Sequence, residues 1–151
     1  MFRVEEHADA TRVFVSGEIT EESDFGPILE LGKRTILVDL AGVSRINSCG
    51  VREWLNFVSA LHARGRRLIL ERCAPVIVTQ LNTIYNFTGG GLVRSVLGPY
   101  YCASCDREEN HLIDLTSSRN VPSVIACPKC GGEMEFEELR EHYLGFHDGA
   151  S

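Results

Sequence analysis

The chain has 151 residues, of which 44% are hydrophobic and 24% charged, and its formal net charge is −6. This globular composition suits one domain with a hydrophobic core, or one domain and a small module. No apolar run in the sequence approaches the length of about 20 residues that a membrane-spanning helix needs, so we expect no such helix. The acidic first ten residues hold no apolar signal segment, so we expect a cytoplasmic protein without membrane insertion.

The excess of negative charge lies at the C-terminal end. Residues 1–98 carry 11 Lys/Arg and 11 Asp/Glu, whereas residues 99–151 carry 4 and 10. Because phosphate contacts supply much of the affinity for nucleic acids, this end argues against nucleic-acid binding. It is compatible with docking on a basic protein surface, and equally with a solvated surface.

Strand-like and helix-like patterns alternate through the first two-thirds of the chain. The predicted elements are strands at 2–7 and 11–19, a short helix or irregular crossing at 21–33, a buried strand at 34–40, a helix at 51–65, a strand at 66–73, a helix at 74–90 and a strand at 91–101. This order predicts an α/β fold, a mixed sheet with helices packed on it. The strands on either side of the 51–65 helix should be parallel.

Two stripes of apolar residues share the predicted 51–65 helix. Val51, Leu55 and Val58 lie on one stripe, and Trp54 and Phe57 lie beside it. An apolar arc this wide indicates either a deeply buried helix or one that offers part of its surface to a partner. We therefore expect packing on the sheet, with partner contact through Trp54 or Phe57 as the alternative hypothesis.

Cysteine pairs distinguish the last third of the chain, after the composition changes near Gly98. Cys102 and Cys105 form one C-x-x-C, and Cys127 and Cys130 form a second. Two such turns can direct four thiolates at one tetrahedral Zn²⁺, and four thiolates leave no open position, so a structural zinc is expected. The strands of this small ribbon are expected in HLIDLTSS, SVIAC and MEFEE.

Disulfides and a thioredoxin-like redox site are the alternatives to zinc. Disulfides need an oxidising compartment, and a redox site has a single C-x-x-C. The spare histidines His111, His142 and His147 are expected to be ordinary surface or packing residues. We predict two domains, residues 1–97 and residues 98–151, the second a zinc-ribbon-like module with an acidic C-terminal segment.

A polar tetrapeptide joins the strand at 34–40 to the helix at 51–65. It contains Asn47, Ser48, Cys49 and Gly50. Ser48 could cap the helix, and a thiol at a helix N-terminus, such as Cys49, could be reactive. The sequence supplies no histidine near Cys49 that could act as a base. It also contains no matched acid–base pair, phosphate-binding loop or nucleophile triad, so we do not expect this protein to be an enzyme.

Residues 35–55, TILVDLAGVSRINSCGVREWL, resemble the signature of STAS domains, the fold of bacterial anti-sigma-factor antagonists. Asp39-Leu40 matches the end of that family's buried strand, and Asn47–Gly50 stands where the family has Asp-Ser-Ser-Gly. The likeness covers about residues 1–97. It implies that Ser48 is the residue phosphorylated by a partner serine kinase, often itself an anti-sigma factor, and that the phosphorylated form releases this partner. The family's aspartate and second serine are replaced here by Asn47 and Cys49.

The resemblance implies a regulatory protein-binding module that acts in signal transduction and transcription regulation. Its switch loop and partner-binding surface would comprise Asn47, Ser48, Cys49, Gly50, Trp54 and Phe57. Alternative functions are a STAS subunit attached to the ATPase of a membrane lipid transporter, and a zinc-ribbon nucleic-acid binder. A homodimer is also compatible with the sequence.

Overall fold

The computed structural model describes residues 1–116 and 121–148. Its elements are β1 (Phe2–Glu6), β2 (Ala10–Ile19), α1 (Gly26–Leu29), β3 (Thr35–Ile46), α2 (Ser48–Ala63), β4 (Arg67–Glu71), α3 (Pro75–Thr83), β5 (Leu92–Val93), β6 (Ser95–Cys102), β7 (Arg107–Asp114), β8 (Val124–Ala126), β9 (Glu133–Phe136), α4 (Arg140–Tyr143) and α5 (Gly145–Asp148). Within this described part of the chain, no helix is long and apolar enough to cross a membrane.

The first sheet has five strands in the order β1-β2-β3-β4-β5. β1 and β2 are antiparallel, and every other neighbouring pair is parallel, including β3 and β4 on either side of α2. The predicted α/β class, with a mixed sheet and helices packed on it, is confirmed. β3 alternates between the two faces of the sheet, since Ile36 and Val38 enter the main core while Leu37 packs on the other face.

The face of the first sheet opposite the main core carries ion pairs. Glu71 forms ion pairs with Arg12 at 3.1 Å and with Arg94 at 3.5 Å, and Asp39 accepts a hydrogen bond from Arg72 at 3.4 Å. This face therefore combines ion pairs with a small apolar cluster of Ala10, Leu37 and Ile69, and α2 and α3 build the main core on the other face.

The second sheet has four antiparallel strands in the order β7-β6-β9-β8. β6 connects the two sheets, because Val96 bridges to Cys73 in the main core while Tyr100 packs in a separate small core with Met134. The strands expected in HLIDLTSS, SVIAC and MEFEE correspond to parts of β7, β8 and β9; Ser117 and Ser118 of the first segment lie outside the described residues. The boundary between residues 97 and 98 stays a prediction.

Two short C-terminal helices dock on α3. The Asn82 side chain on α3 donates to the backbone oxygen of Tyr143 at 3.0 Å and accepts from the backbone N–H of Phe146 at 2.7 Å. The Tyr143 hydroxyl also donates to the backbone oxygen of Leu97 on β6. One asparagine side chain thus holds both α4 and α5.

Element boundaries differ from the sequence expectation at β3, at β5 and β6, and at α3, which ends at Thr83 instead of reaching residue 90. β3 continues to Ile46 instead of ending near Leu40, because Gly42, Val43 and Arg45 keep pairing with β2 across two register shifts. The strand expected at 91–101 is divided into β5 and β6 at Arg94, whose backbone N–H donates to the Leu70 oxygen before the chain turns towards the second sheet.

Candidate functional site

The polar tetrapeptide forms the start of α2. Asn47 has extended backbone geometry and is the N-cap, since its Oδ1 accepts from the Gly50 N–H at 2.7 Å. Its own N–H donates to the Ile19 oxygen at the end of β2, at 3.2 Å. The expectation that Ser48 caps the helix is therefore wrong, because the Asn47 side chain already fills that role. Ser48 is the first residue of the helix and is exposed.

The hydroxyl of Ser48 is not used by the fold. Among the residues that the structure describes, none forms a hydrogen bond with it. The helix N-terminus next to it carries partial positive charge and free backbone N–H groups, which favour an anion. The geometry thus offers an exposed hydroxyl that accepts a negative group without disturbing the cap.

Gly50 lets α2 approach β2 more closely than any other residue would allow. A Cβ at this position would lie 2.1 Å from the Ile19 oxygen and 2.6 Å from its carbonyl carbon. The glycine of the tetrapeptide is thus a packing requirement, and it fixes the position of Ser48 relative to the end of β2.

The asparagine at position 47 has a partner that the sequence did not reveal. Its Nδ2 donates to the Glu21 carboxylate at 3.2 Å. A backbone hydrogen bond at Glu21, followed by this side-chain bond from Asn47, holds the pKa of Glu21 below its ordinary value. An aspartate here would place two carboxylates side by side, which is unfavourable. No sequence pattern pointed to Glu21, because it lies 26 residues away.

Cys49 is half-buried beside this loop. Within the described residues its one hydrogen-bond partner is the Arg52 guanidinium, at 3.8 Å, and the contact supplies no general base. A thiol nucleophile needs a base or a strongly lowered pKa. The geometry gives the reactive-thiol hypothesis no base to act with.

Trp54 and Phe57 are core residues, and the hypothesis that either contacts a partner is corrected here. They are 1% and 3% exposed and pack with Phe25, whose ring is stacked 4.9 Å from that of Phe57. The Trp54 Nε1 donates to the Phe87 oxygen at 2.8 Å. The buried stripe of α2 is thus centred on these aromatic side chains, while Val51 and Leu55 are only half-buried.

Cys73 and Asp39 are buried where the first sheet meets β6. Cys73 is fully buried, as expected of a core thiol; burial, with the charges of Asp39 and Glu71, raises its pKa far above the ordinary value. Asp39, from the Asp-Leu pair, accepts from the Ala41 N–H at 3.0 Å. Arg72, which pairs with Asp39, has a positive φ of 50° held by a bond from its N–H to the Ser95 hydroxyl.

The four C-terminal cysteines form a candidate metal centre. All four Sγ atoms lie within 4.8 Å of one another, and the Cys102–Cys130 and Cys105–Cys127 pairs are 3.5 and 3.8 Å apart. Thiolates at about 2.3 Å from one tetrahedral zinc would be about 3.8 Å apart. These separations greatly exceed a disulfide bond of about 2.05 Å, and all four thiols are free.

Backbone N–H groups of the second C-x-x-C turn donate hydrogen bonds to its sulfurs. The Gly132 N–H donates to the Cys130 sulfur at 3.3 Å, and Gly131 has the positive φ of 75° that the reversal requires. Hydrogen bonds from the backbone N–H groups of Cys130 and Lys129 contribute to lowering the pKa of Cys127 to about 7. The cluster therefore fits a metal that prefers sulfur ligands. His111, His142 and His147 lie outside it.

The outer face of the second sheet is acidic. Glu108 on β7 and Glu135 on β9 flank Tyr101 on β6, and Glu137 follows beside Pro99. Burial raises the pKa of Glu137, and the nearby Glu108 raises it further. A sheet face of this charge would repel a phosphate backbone.

Comparisons with known proteins found a likeness among solved structures. No protein-family model matches the chain, and no curated protein matches it. Among solved structures, the chain is similar to the anti-sigma factor antagonist SpoIIAA in its unphosphorylated form, with 20% identity and a TM-score of 0.44 over 62% of this chain and 86% of that one.

Proposed function

We propose that this protein is a non-enzymatic regulatory module of the anti-sigma-factor-antagonist type. It binds a serine kinase/anti-sigma partner through the start of α2 and releases it when Ser48 is phosphorylated. The observation that carries the proposal is the setting of Ser48: an exposed hydroxyl, first in the helix, left free because Asn47 makes the cap. The STAS-like signature of residues 35–55 supplies the expected partner class.

The same position explains how one modification would switch binding. A phosphate adds about 1.5 to 2 negative charges and three strong acceptor oxygens. At the N-terminus of α2 the helix itself tolerates this charge. A partner packed against the exposed residues Asn47 and Ser48 would meet it as repulsion and desolvation, so that the interface opens while the domain stays folded.

The test is phosphorylation of the intact protein by purified serine kinases of the organism that encodes it, read by intact mass. We expect a gain of about 80 Da, the mass of one phosphoryl group, lost in Ser48→Ala and kept in Ser59→Ala, which removes another exposed serine of α2. The kinase that modifies the protein should bind the unmodified form and release the modified one. A gain that survives in Ser48→Ala, or no gain with any kinase, would contradict the proposal.

We propose further that the four cysteines hold a structural Zn²⁺. The small core around Tyr100 and Met134 includes Cys102 and Cys127 themselves, and so few apolar side chains would not hold a separate sheet without a metal. Bound there, the ion would supply cross-linking of the two turns and no open position for chemistry.

A further inference from the structure

A basic cavity of about 120 Å³ lies between the end of α2, the start of β4 and the turn before β5. Its lining includes Arg66, Arg67 and His62, together with the glycine run 89–91. His62 belongs to the last turn of α2, so the cavity lies at the opposite end of this helix from Ser48. Neither the proposed phosphorylation nor the cysteine cluster uses it.

The positive charge of this cavity has no carboxylate beside it in the part of the chain that the structure describes, since no Asp or Glu is among the lining residues. The chain as a whole carries a net charge of −6. The Arg66 guanidinium donates to three backbone oxygens in the segment 29–33. Glu30, in the same segment, pairs with Arg64 at 3.7 Å and does not line the cavity. The cavity is therefore a local site of unbalanced positive charge.

Two of the lining side chains, those of His62 and Arg67, are not used by the fold. Both are exposed, and within the described residues neither forms a hydrogen bond or an ion pair. They are not needed to cap α2, because the Leu61 oxygen accepts from the Arg64 N–H and the His62 oxygen accepts from the Gly65 N–H. Both side chains are thus available to a bound anion.

The turn before β5 contributes a backbone N–H group. The N–H groups of Gly89 and Gly91 donate to oxygens within the turn, whereas that of Gly90 has no hydrogen-bond partner among the residues described. Gly90 has a positive φ of 89°, and a Cβ added to it would lie 3.7 Å from Nδ1 of His62. The missing side chain therefore leaves space between the turn and this ring. Backbone N–H groups in turns are known to form anion-binding concavities.

We propose that this cavity binds the phosphoryl group of a phosphate monoester, which contacts the side chains of Arg67 and His62 and the Gly90 N–H. Three donors from three segments match the three terminal oxygens of a phosphoryl group, whereas a carboxylate offers only two oxygens. Arginine suits phosphate because its planar guanidinium presents a fork of donors. The volume is slightly below the roughly 150 Å³ of a cavity that accepts benzene in another protein. It therefore holds one phosphoryl group and leaves the rest of the ester outside.

The experiment titrates the full-length protein, isotope-labelled at its glycines, with inorganic phosphate, glycerol phosphate and glycerol. We expect a saturable shift of the Gly90 amide resonance with both phosphates and none with glycerol, which lacks the charged group. Arg67→Gln should weaken both phosphates by roughly ten- to a hundredfold, the range of one hydrogen bond to a charged group. His62→Ala should weaken them by roughly three- to tenfold, the range of one net hydrogen bond. Arg45→Gln removes the same charge at an exposed position outside the cavity and should leave binding unchanged.

Two results would overturn the inference. One is the absence of a saturable response of the Gly90 amide to either phosphate. The other is binding by Arg67→Gln that equals binding by the wild type, with circular dichroism showing that the variant is folded. Ser48→Ala should bind both phosphates as the wild type does, so these outcomes do not depend on whether Ser48 is phosphorylated.

Vesicles distinguish the two sources of such an ester. They are made of phosphatidylcholine with and without phosphatidic acid, whose headgroup is a phosphate monoester. Sedimentation that requires phosphatidic acid and is lost in Arg67→Gln would assign the site to a lipid headgroup. Phosphate binding without sedimentation would assign it to a soluble ester.

Discussion

Replacing Gly50 with alanine tests whether α2 is seated directly on the end of β2. The added Cβ would lie 2.1 Å from the Ile19 oxygen and must retreat by about 0.9 Å to reach 3.0 Å, below which such contacts essentially never occur. The obstacle is backbone, so no side-chain rotation relieves it. Moving the helix instead would stretch the 3.2 Å bond between the Asn47 N–H and the same oxygen.

The size of the effect follows from two opposing contributions. Overpacking a well-fitted site costs about 1–3 kcal/mol and occasionally more, and a clash with backbone belongs at the upper end. Alanine in place of glycine within a helix returns up to about 1 kcal/mol. We therefore expect Gly50→Ala to lower the free energy of unfolding by about 2 kcal/mol or more.

Urea unfolding followed by Trp54 emission measures this change, since Trp54 is buried in the same core. Gly32→Ala is the matched control: a Cβ there meets nothing within 4 Å, so the variant should be unchanged or stabilised by up to about 1 kcal/mol. If Gly50→Ala lies within about 0.5 kcal/mol of the wild type, the close seating of α2 on β2 is refuted.

Three further predictions concern other contacts. The purified protein should contain one zinc per chain by elemental analysis, and Cys130→Ser should lose it while Cys49→Ser, at a cysteine outside the cluster, keeps it; equal zinc in both variants contradicts the site. Asn82→Ala removes the hydrogen bonds that hold α4 and α5, and hydrogen exchange should show their amides opening by about 1–2 kcal/mol more easily. Asn47→Asp should destabilise the protein at pH 7 by repulsion from Glu21, and Glu21→Gln should relieve it in a double-mutant cycle; additive effects would show that the two side chains do not interact.

The stability supplied by Glu21 has a definite pH dependence. Its pKa in the folded protein is lowered from 4.5, so the unfolded chain takes up its proton first as the pH falls. The stabilisation is complete above pH 4.5 and is lost as the pH falls through the folded value. As the pH is lowered, the free energy of unfolding should therefore fall less steeply in Glu21→Gln than in the wild type. Identical curves would show that the lowered pKa of Glu21 does not contribute to stability.

The order of the elements that build the first sheet was predictable, because each element has a local sequence pattern. The spacing of apolar residues along the sequence indicates the buried strand around Val38 and the amphipathic helix around Val58. The end of β3 was not predictable, since polar residues such as Arg45 continue the strand only because β2 pairs with them through two register shifts. The four-cysteine cluster was also predictable, because the spacing within each C-x-x-C is itself local.

The parts of the site that sequence could not supply are contacts between distant segments. No periodic sequence pattern indicates these contacts, because 33 residues separate Trp54 from Phe87 and 64 residues separate Asn82 from Phe146. The stripe containing Trp54 was visible, but whether it faced a partner or the core depended on Phe25 covering it.

The structure also changes how the substitution of asparagine for aspartate at position 47 should be understood. A side-chain oxygen is all that the cap requires, and the asparagine provides it to Gly50. Its amide nitrogen then does what an aspartate could not, by pairing with the Glu21 carboxylate. The loop thus carries the negative charge of Glu21, which the Asn47 amide holds beside the cap. Since Ser48 takes no part in either bond, this arrangement leaves its hydroxyl exposed and outside the cap.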